Sequence, residues 1–132
     1  MKTVAIVDDD LNIRNLLCNF LENSEFKFIG EKSGSGFINL LKSYKGQIDI
    51  LILDVIIPDL ITLKKFFQNI PNIDINVVMI TGYNFNKNLI RELQVVGGNK
   101  NFDLLRKPFS KHVFLETLRK YESSDLETNG VL

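Results

Sequence analysis

An open α/β fold, with a five-stranded parallel sheet covered by helices on both faces, is predicted by three features of this 132-residue chain. Short apolar runs alternate with segments whose apolar residues recur at helical spacing. The runs have strand length and are almost continuously apolar, as in strands buried on both faces. Acidic residues stand directly after two of the runs, and a lysine stands one residue beyond a third. In an open α/β sheet those strand ends converge on the functional crevice.

The elements follow in order. Residues 2–7 form the first strand, around Thr3-Val4-Ala5-Ile6-Val7, and end in Asp8-Asp9-Asp10. Ile13, Leu16, Leu17, Phe20 and Leu21 then mark one face of a helix, with Asp10 as its N-cap. The second strand is expected over 26–30. A turn-like Ser33-Gly34-Ser35-Gly36 leads to a second helix, whose buried face carries Phe37, Leu40, Leu41 and Tyr44. The third strand, 48–53, runs directly into Asp54. Leu63, Phe66 and Phe67 mark a third helix, which must stop near Pro71 because proline disfavours helical geometry at the residue before it. The fourth strand spans 75–80, before Thr81. Leu89, Leu93 and Val96 mark a fourth helix, stopped by Gly97-Gly98. The fifth strand, 102–105, is apolar apart from Asp103 and is followed by Arg106-Lys107-Pro108-Phe109. Val113, Phe114, Thr117, Leu118 and Tyr121 give the fifth helix its buried face, with Ser110 as N-cap.

Strand–helix alternation implies right-handed crossovers. The expected strand order is 2-1-3-4-5, a flavodoxin-like three-layer sandwich. One domain over residues 1–122 is expected, with 123–132 as a flexible polar tail. Sixteen basic and sixteen acidic residues cancel, which argues against nonspecific nucleic-acid binding, since that needs a basic face. No apolar run approaches the ~18 residues that span a bilayer. Cys18 is the single cysteine, so no internal disulfide forms and a reducing compartment is expected. Three aspartates follow the short first apolar stretch where a secretory signal would continue. A cytoplasmic location follows. His112 reads as a surface residue and Cys18 as a small residue near the core.

Asp8, Asp9 and Asp54 crowd three carboxylates at the crevice. Such acids repel unless a divalent cation binds between them, and hard oxygen donors suit Mg²⁺. A carboxylate attacking a phosphoryl group forms an acyl phosphate. A lysine and a hydroxyl then stabilise the phosphoryl oxygens. Three acids of unrelated capping function would not converge with a lysine in this way.

Four stretches in this order, each at a strand end, carry a resemblance: Val-Asp-Asp-Asp at 7–10, Leu-Asp-Val-Ile-Ile-Pro-Asp at 53–59, Met-Ile-Thr-Gly at 79–82 and Lys-Pro-Phe at 107–109. The chain resembles the receiver domain of two-component response regulators over residues 2–122. The resemblance implies that Asp54 is the phosphoacceptor. It implies that Asp9 binds Mg²⁺ directly, that Asp8 assists partly through water, and that Ile56 lends its backbone carbonyl. Thr81 supplies the hydroxyl and Lys107 the cation, with a cis Lys107–Pro108 bond. Such a domain is not an enzyme beyond its own phosphorylation and dephosphorylation. Its phosphoryl donor is a sensor histidine kinase or a histidine phosphotransfer protein. It meets an output partner through the face of the fourth helix, fifth strand and fifth helix.

The chain departs from the family pattern at several places, among them Ile61-Thr62, where an Asp-Gly often follows the proline. Leu104 stands where an aromatic switch is usual, with Phe102 on the same strand face. The segment 97–101 is longer than usual, by about three residues. Ile56 and Tyr83 flank the path of attacking water with side chains that do not position it, which implies a slowly hydrolysed phosphoaspartate. An alternative is a docking module that signals without phosphorylation. A Mg²⁺-dependent hydrolase is disfavoured, because such folds need an acid two residues after the nucleophile, and Ile56 cannot transfer a proton.

Overall fold

The computed structural model describes residues 2–44, 47–54, 60–70, 75–82, 91–92, 95 and 102–130, with backbone alone at 60–63 and 122–130. Five strands form one parallel sheet: β1 (Thr3–Val7), β2 (Lys27–Glu31), β3 (Ile50–Asp54), β4 (Asn76–Thr81) and β5 (Phe102–Arg106). Their order is β2-β1-β3-β4-β5, as the sequence predicts. Three helices, α1 (Leu11–Leu21), α2 (Gly34–Ser43) and α3 (Leu60–Gln68), fall between strands, and a last helix spans Lys111–Gly130.

Side-chain alternation along the strands divides the core in two. Ala5, Val7, Leu51, Leu53, Val77 and Met79 pack with Phe37 of α2 and Phe67 of α3. Val4, Ile6, Ile50, Ile52, Val78, Ile80 and Leu105 pack with Leu17 and Leu21 of α1 and with Phe114 and Leu118 of the last helix. β1 and the first four residues of β3 are buried throughout, which explains their unbroken apolar sequence. On the α2/α3 side a row of rings runs from Phe37 to Phe66 (centroids 6.1 Å), Phe67 (5.2 Å) and Phe102 (5.4 Å). Leu104 packs against the same cluster, so Phe102 and Leu104 share a strand face, as expected.

Several boundaries and faces differ from the sequence reading. Asp54 and Thr81 close their strands rather than follow them. The third strand starts at Ile50, not 48, because Asp49 ties to Thr3 differently: its backbone N–H donates to the Thr3 carbonyl (2.9 Å), and its Oδ2 accepts from the Thr3 N–H (2.8 Å). Ser33-Gly34-Ser35-Gly36 is not a turn before α2. Ser33 is the N-cap, its Oγ accepting from the Gly36 N–H at 3.0 Å, and the glycines lie in the first helical turn. Leu16 and Val113, assigned to buried faces, are 49% and 42% exposed. Leu17 and Leu21 set the phase of α1, and Phe114, Leu115 and Leu118 set that of the last helix. That helix also continues past residue 122 to Gly130, through Glu122–Thr128, which contains no proline, and it ends at a glycine. Asp10 and Ser110 cap their helices as predicted. Of the predicted fourth helix, Arg91, Glu92 and Val95 are described and helical; Leu89, Leu93, Val96 and Gly97-Gly98 lie outside the described residues.

Candidate functional site

Strand parity assembles the site. In β1 and β3 the even-numbered residues face α1 and the last helix, and the register pairs Val7 with Leu53. One step on, Asp8 therefore lies beside Asp54, and both side chains leave the sheet on the same face. In β5, Leu105 faces the same way, which places Lys107 on that face as well. β4 lies between β3 and β5. Lys107 must therefore reach across two strand spacings, about 9–10 Å, over the end of β4. The lysine stem, the hydrogen bond and the Asp54 side chain together span this distance.

The contact is made. Lys107 Nζ donates to Asp54 Oδ2 at 2.7 Å, and the Asp54 side chain is only 3% exposed. The Lys107 N–H donates to the Thr81 carbonyl at 2.9 Å, which fixes the start of the lysine's reach on β4. The Lys107–Pro108 bond is cis, as the resemblance implies. Thr81 is fully buried at the end of β4.

Asp8 is 5% exposed. Its Oδ1 accepts from the Asp10 N–H at 2.9 Å. Among the described residues, Asp8 Oδ2 and Asp54 Oδ1 are buried without a hydrogen-bond partner. An orphaned carboxylate oxygen is costly, and two together more so. Burial pushes the Asp8 carboxyl up to about 7, helped by a proton it can share with Asp54 and by the Asp54 charge; the Asp10 N–H and Lys107 oppose the shift. The sharing needs one acid protonated. With both ionised, the oxygens face each other unpaired.

The expected trio of acids is not assembled as a trio. Among the described residues, no group of three His, Cys, Asp or Glu side chains is placed to hold a metal ion. Asp8 and Asp54 come together, while Asp9 lies on the exposed part of the turn after β1. Two buried, orphaned carboxylate oxygens beside an exposed third acid still fit a hard divalent cation, which prefers oxygen donors and retains water. Ile56 and Tyr83 lie outside the described residues. His112 is a surface residue, 3.0 Å from Glu116. Cys18 is half-buried against the core, and burial pushes its thiol up, so it packs rather than reacts.

Sequence reasoning missed Arg14. Its Nη1 donates to the Asp8 backbone carbonyl at 2.7 Å. It also missed a second polar pair on the sheet face shared with Asp54. The Tyr121 hydroxyl of the last helix donates to Asp103 Oδ2 of β5 at 2.8 Å, and burial pushes that phenol up, with the Asp103 bond and charge adding. Asp103 stood out in the sequence as the one polar residue of an apolar strand, a signal that a partner was needed.

The model of the response regulator receiver domain family matches residues 4–119 of this chain. Comparison with curated proteins finds no match. Among solved structures, a response regulator from Thermotoga maritima is 25% identical, over 93% of this chain and 98% of that one, with a TM-score of 0.72. A two-component response regulator from Clostridium difficile is 19% identical, over 93% and 97%, with a TM-score of 0.72. A chemotaxis protein of Vibrio cholerae is 23% identical, over 92% and 98%, with a TM-score of 0.69.

Proposed function

This chain belongs to the response regulator receiver domain family, and we propose that it works as a phosphoacceptor, receiving a phosphoryl group on Asp54 from a phosphohistidine donor. The observation that carries this reading is the bridge from Lys107 to Asp54 beside the orphaned oxygens of Asp8 and Asp54. A lysine held 2.7 Å from an almost fully buried carboxylate is a fixed positive charge at the place where phosphoryl oxygens would arrive.

In the proposed step an Asp54 carboxylate oxygen attacks phosphorus. The bond from phosphorus to the donor nitrogen breaks, the nitrogen keeps the electron pair, and an acyl phosphate remains on Asp54. Lys107 holds the carboxylate in place and then balances the new charge. Thr81 stands one strand away from Asp54 and is assigned the hydroxyl that binds a phosphoryl oxygen. Asp8, Asp9 and Asp54 would hold Mg²⁺, with the Ile56 carbonyl as the further donor the family implies. Bound there, Mg²⁺ supplies positive charge that screens the carboxylates and the incoming phosphoryl oxygens. The donor partner is a histidine kinase or a histidine phosphotransfer protein, as receiver membership implies. Any activity is confined to the chain's own phosphorylation and dephosphorylation. No helix among the described residues is long and apolar enough to cross a membrane.

Intact-mass spectrometry tests the reading. With Mg²⁺ and acetyl phosphate, one phosphoryl group is expected on the wild type and none on Asp54→Asn. An equal adduct on Asp54→Asn, or none on the wild type even with a phosphohistidine donor, would overturn it and leave a docking module.

A further inference from the structure

Asp9 has a problem that its neighbours do not. Asp8 is buried and bonded to the Asp10 N–H, and Asp54 is held by Lys107. Asp9 is exposed, and among the described residues its side chain makes no hydrogen bond. Among the described residues, its position is set by the backbone of the turn. Besides the Asp10 N–H bond to Asp8 Oδ1, that backbone is held at three points. The Asp8 N–H donates to the Glu31 carbonyl at 3.0 Å, tying the turn to β2. The Asp10 carbonyl accepts the Arg14 N–H at 2.9 Å, the first bond of α1. Between them, the carbonyl of the Asp8–Asp9 peptide accepts Arg14 Nη1 at 2.7 Å. Arg14 thus grips the turn on both sides of Asp9.

The grip depends on a glycine. A Cβ at Gly30 of β2 would stand 3.2 Å from Arg14 Cδ and 3.4 Å from Cγ. The arginine stem lies over Gly30, and a Cβ there would require the stem to shift by a few tenths of an ångström. The guanidinium is not among the groups that shift Asp8. Its contact is with the peptide, not the carboxylate.

We propose that Arg14, seated on Gly30, is a positioning residue that fixes the Asp8–Asp9 peptide and so holds Asp9 ready for a divalent cation. The inference rests on the reading of this site as a Mg²⁺-dependent phosphoacceptor. It makes a prediction opposite in sign to simple electrostatics. Removing a cation near a cation site should tighten metal binding. Removing a positioning residue should weaken it, by about 10-fold for groups that orient metal ligands.

The test is calorimetric titration of the full chain with MgCl₂, beside thermal melts without metal. Arg14→Met keeps the stem and loses the donor, and its Mg²⁺ dissociation constant is expected to rise about 10-fold. Arg14→Lys, which keeps a donor on a stem of similar length, is expected to recover part of that loss. Gly30→Val displaces the stem and is expected to weaken Mg²⁺ several-fold. Its metal-free melting temperature should hold or rise, since Val suits a strand better than Gly. A purely structural staple would not separate those two readouts. Should Arg14→Met fail to fold, Gly30→Val decides by the same titration. Dissociation constants at or below wild type in the folded variants overturn the positioning role alone. Wild-type protein that binds no Mg²⁺ overturns the phosphoacceptor reading and this inference with it.

Discussion

Asp8 shows how much a single residue can carry. Its carboxyl is raised to about 7 in the folded chain, against about 3.8 when unfolded, chiefly by burial. The fold therefore prefers it protonated. Its contribution to stability is fully present below the unfolded value and is lost as pH rises toward 7. In metal-free buffer, melts between pH 5 and 8 are expected to show a falling melting temperature, above the range where ordinary carboxylates titrate. Asp8→Asn should flatten that fall and raise the melting temperature at pH 8; an unchanged slope would refute the assignment. Asp54, Lys107 and Thr81 were legible in the sequence because each stands at the end of an apolar run, and strand ends meet in such a sheet. The pairing of Asp8 with Asp54 was legible too, since parity and one register fix it. The separation of Asp9 from that pair was not, because it depends on the turn's conformation. Arg14 and Gly30 were invisible for a related reason: their contact joins a helix to an edge strand, and no local pattern encodes it.

At the scale of elements, the phase of a helix was less legible than its existence. Leu16 and Val113 satisfy the apolar period, yet they point outward. A stripe about 100° wide admits two neighbouring phases, and packing against the sheet chooses one. The glycines of α2 were misread as turn formers for a similar reason. Gly34 is glycine because a Cβ there would come within 2.9 Å of Phe66 Cδ1. That partly buried ring is packed against Phe37 and Phe67, so moving it disturbs both. Gly36 would instead meet Glu31 Oε2 at 2.6 Å, the far end of a flexible side chain. Alanine gains at most about 1 kcal/mol of helix propensity over glycine, whereas overpacking costs about 1–3 kcal/mol. Gly34→Ala is thus expected to destabilise the protein by about 1 kcal/mol, and Gly36→Ala to leave it unchanged or slightly more stable. Urea unfolding of the two variants checks this; equal effects would mean that the ring row is softer than its packing implies.

For the whole molecule, the question is how a charge placed on Asp54 would be felt elsewhere. Leu104 offers no ring to swing, and Phe102 is already fixed against Phe67. A phosphoryl mimic on Asp54 is expected to change amide hydrogen exchange most over 82–88 and 97–104, after Thr81 and into the first residues of β5, and little in α1 and α2. The shift is bounded by the difference in affinity of the two conformations for the phosphoryl group, so it should be modest. Exchange that changed only at residues touching the mimic would favour a domain that signals by docking. The odd–even division of the strands has one more consequence, and it concerns inheritance. Asp8, Asp54 and Lys107 leave the sheet on the side of α1 and the last helix, while the rings of Phe37, Phe66, Phe67 and Phe102 fill the other side. Substitutions on the two sides share few neighbours, so their effects should add. A lineage can therefore rewrite the aromatic side one residue at a time without disturbing the reactive one. A single inserted residue within β3 has no such freedom, because it would turn every side chain after it, Asp54 included, to the opposite side.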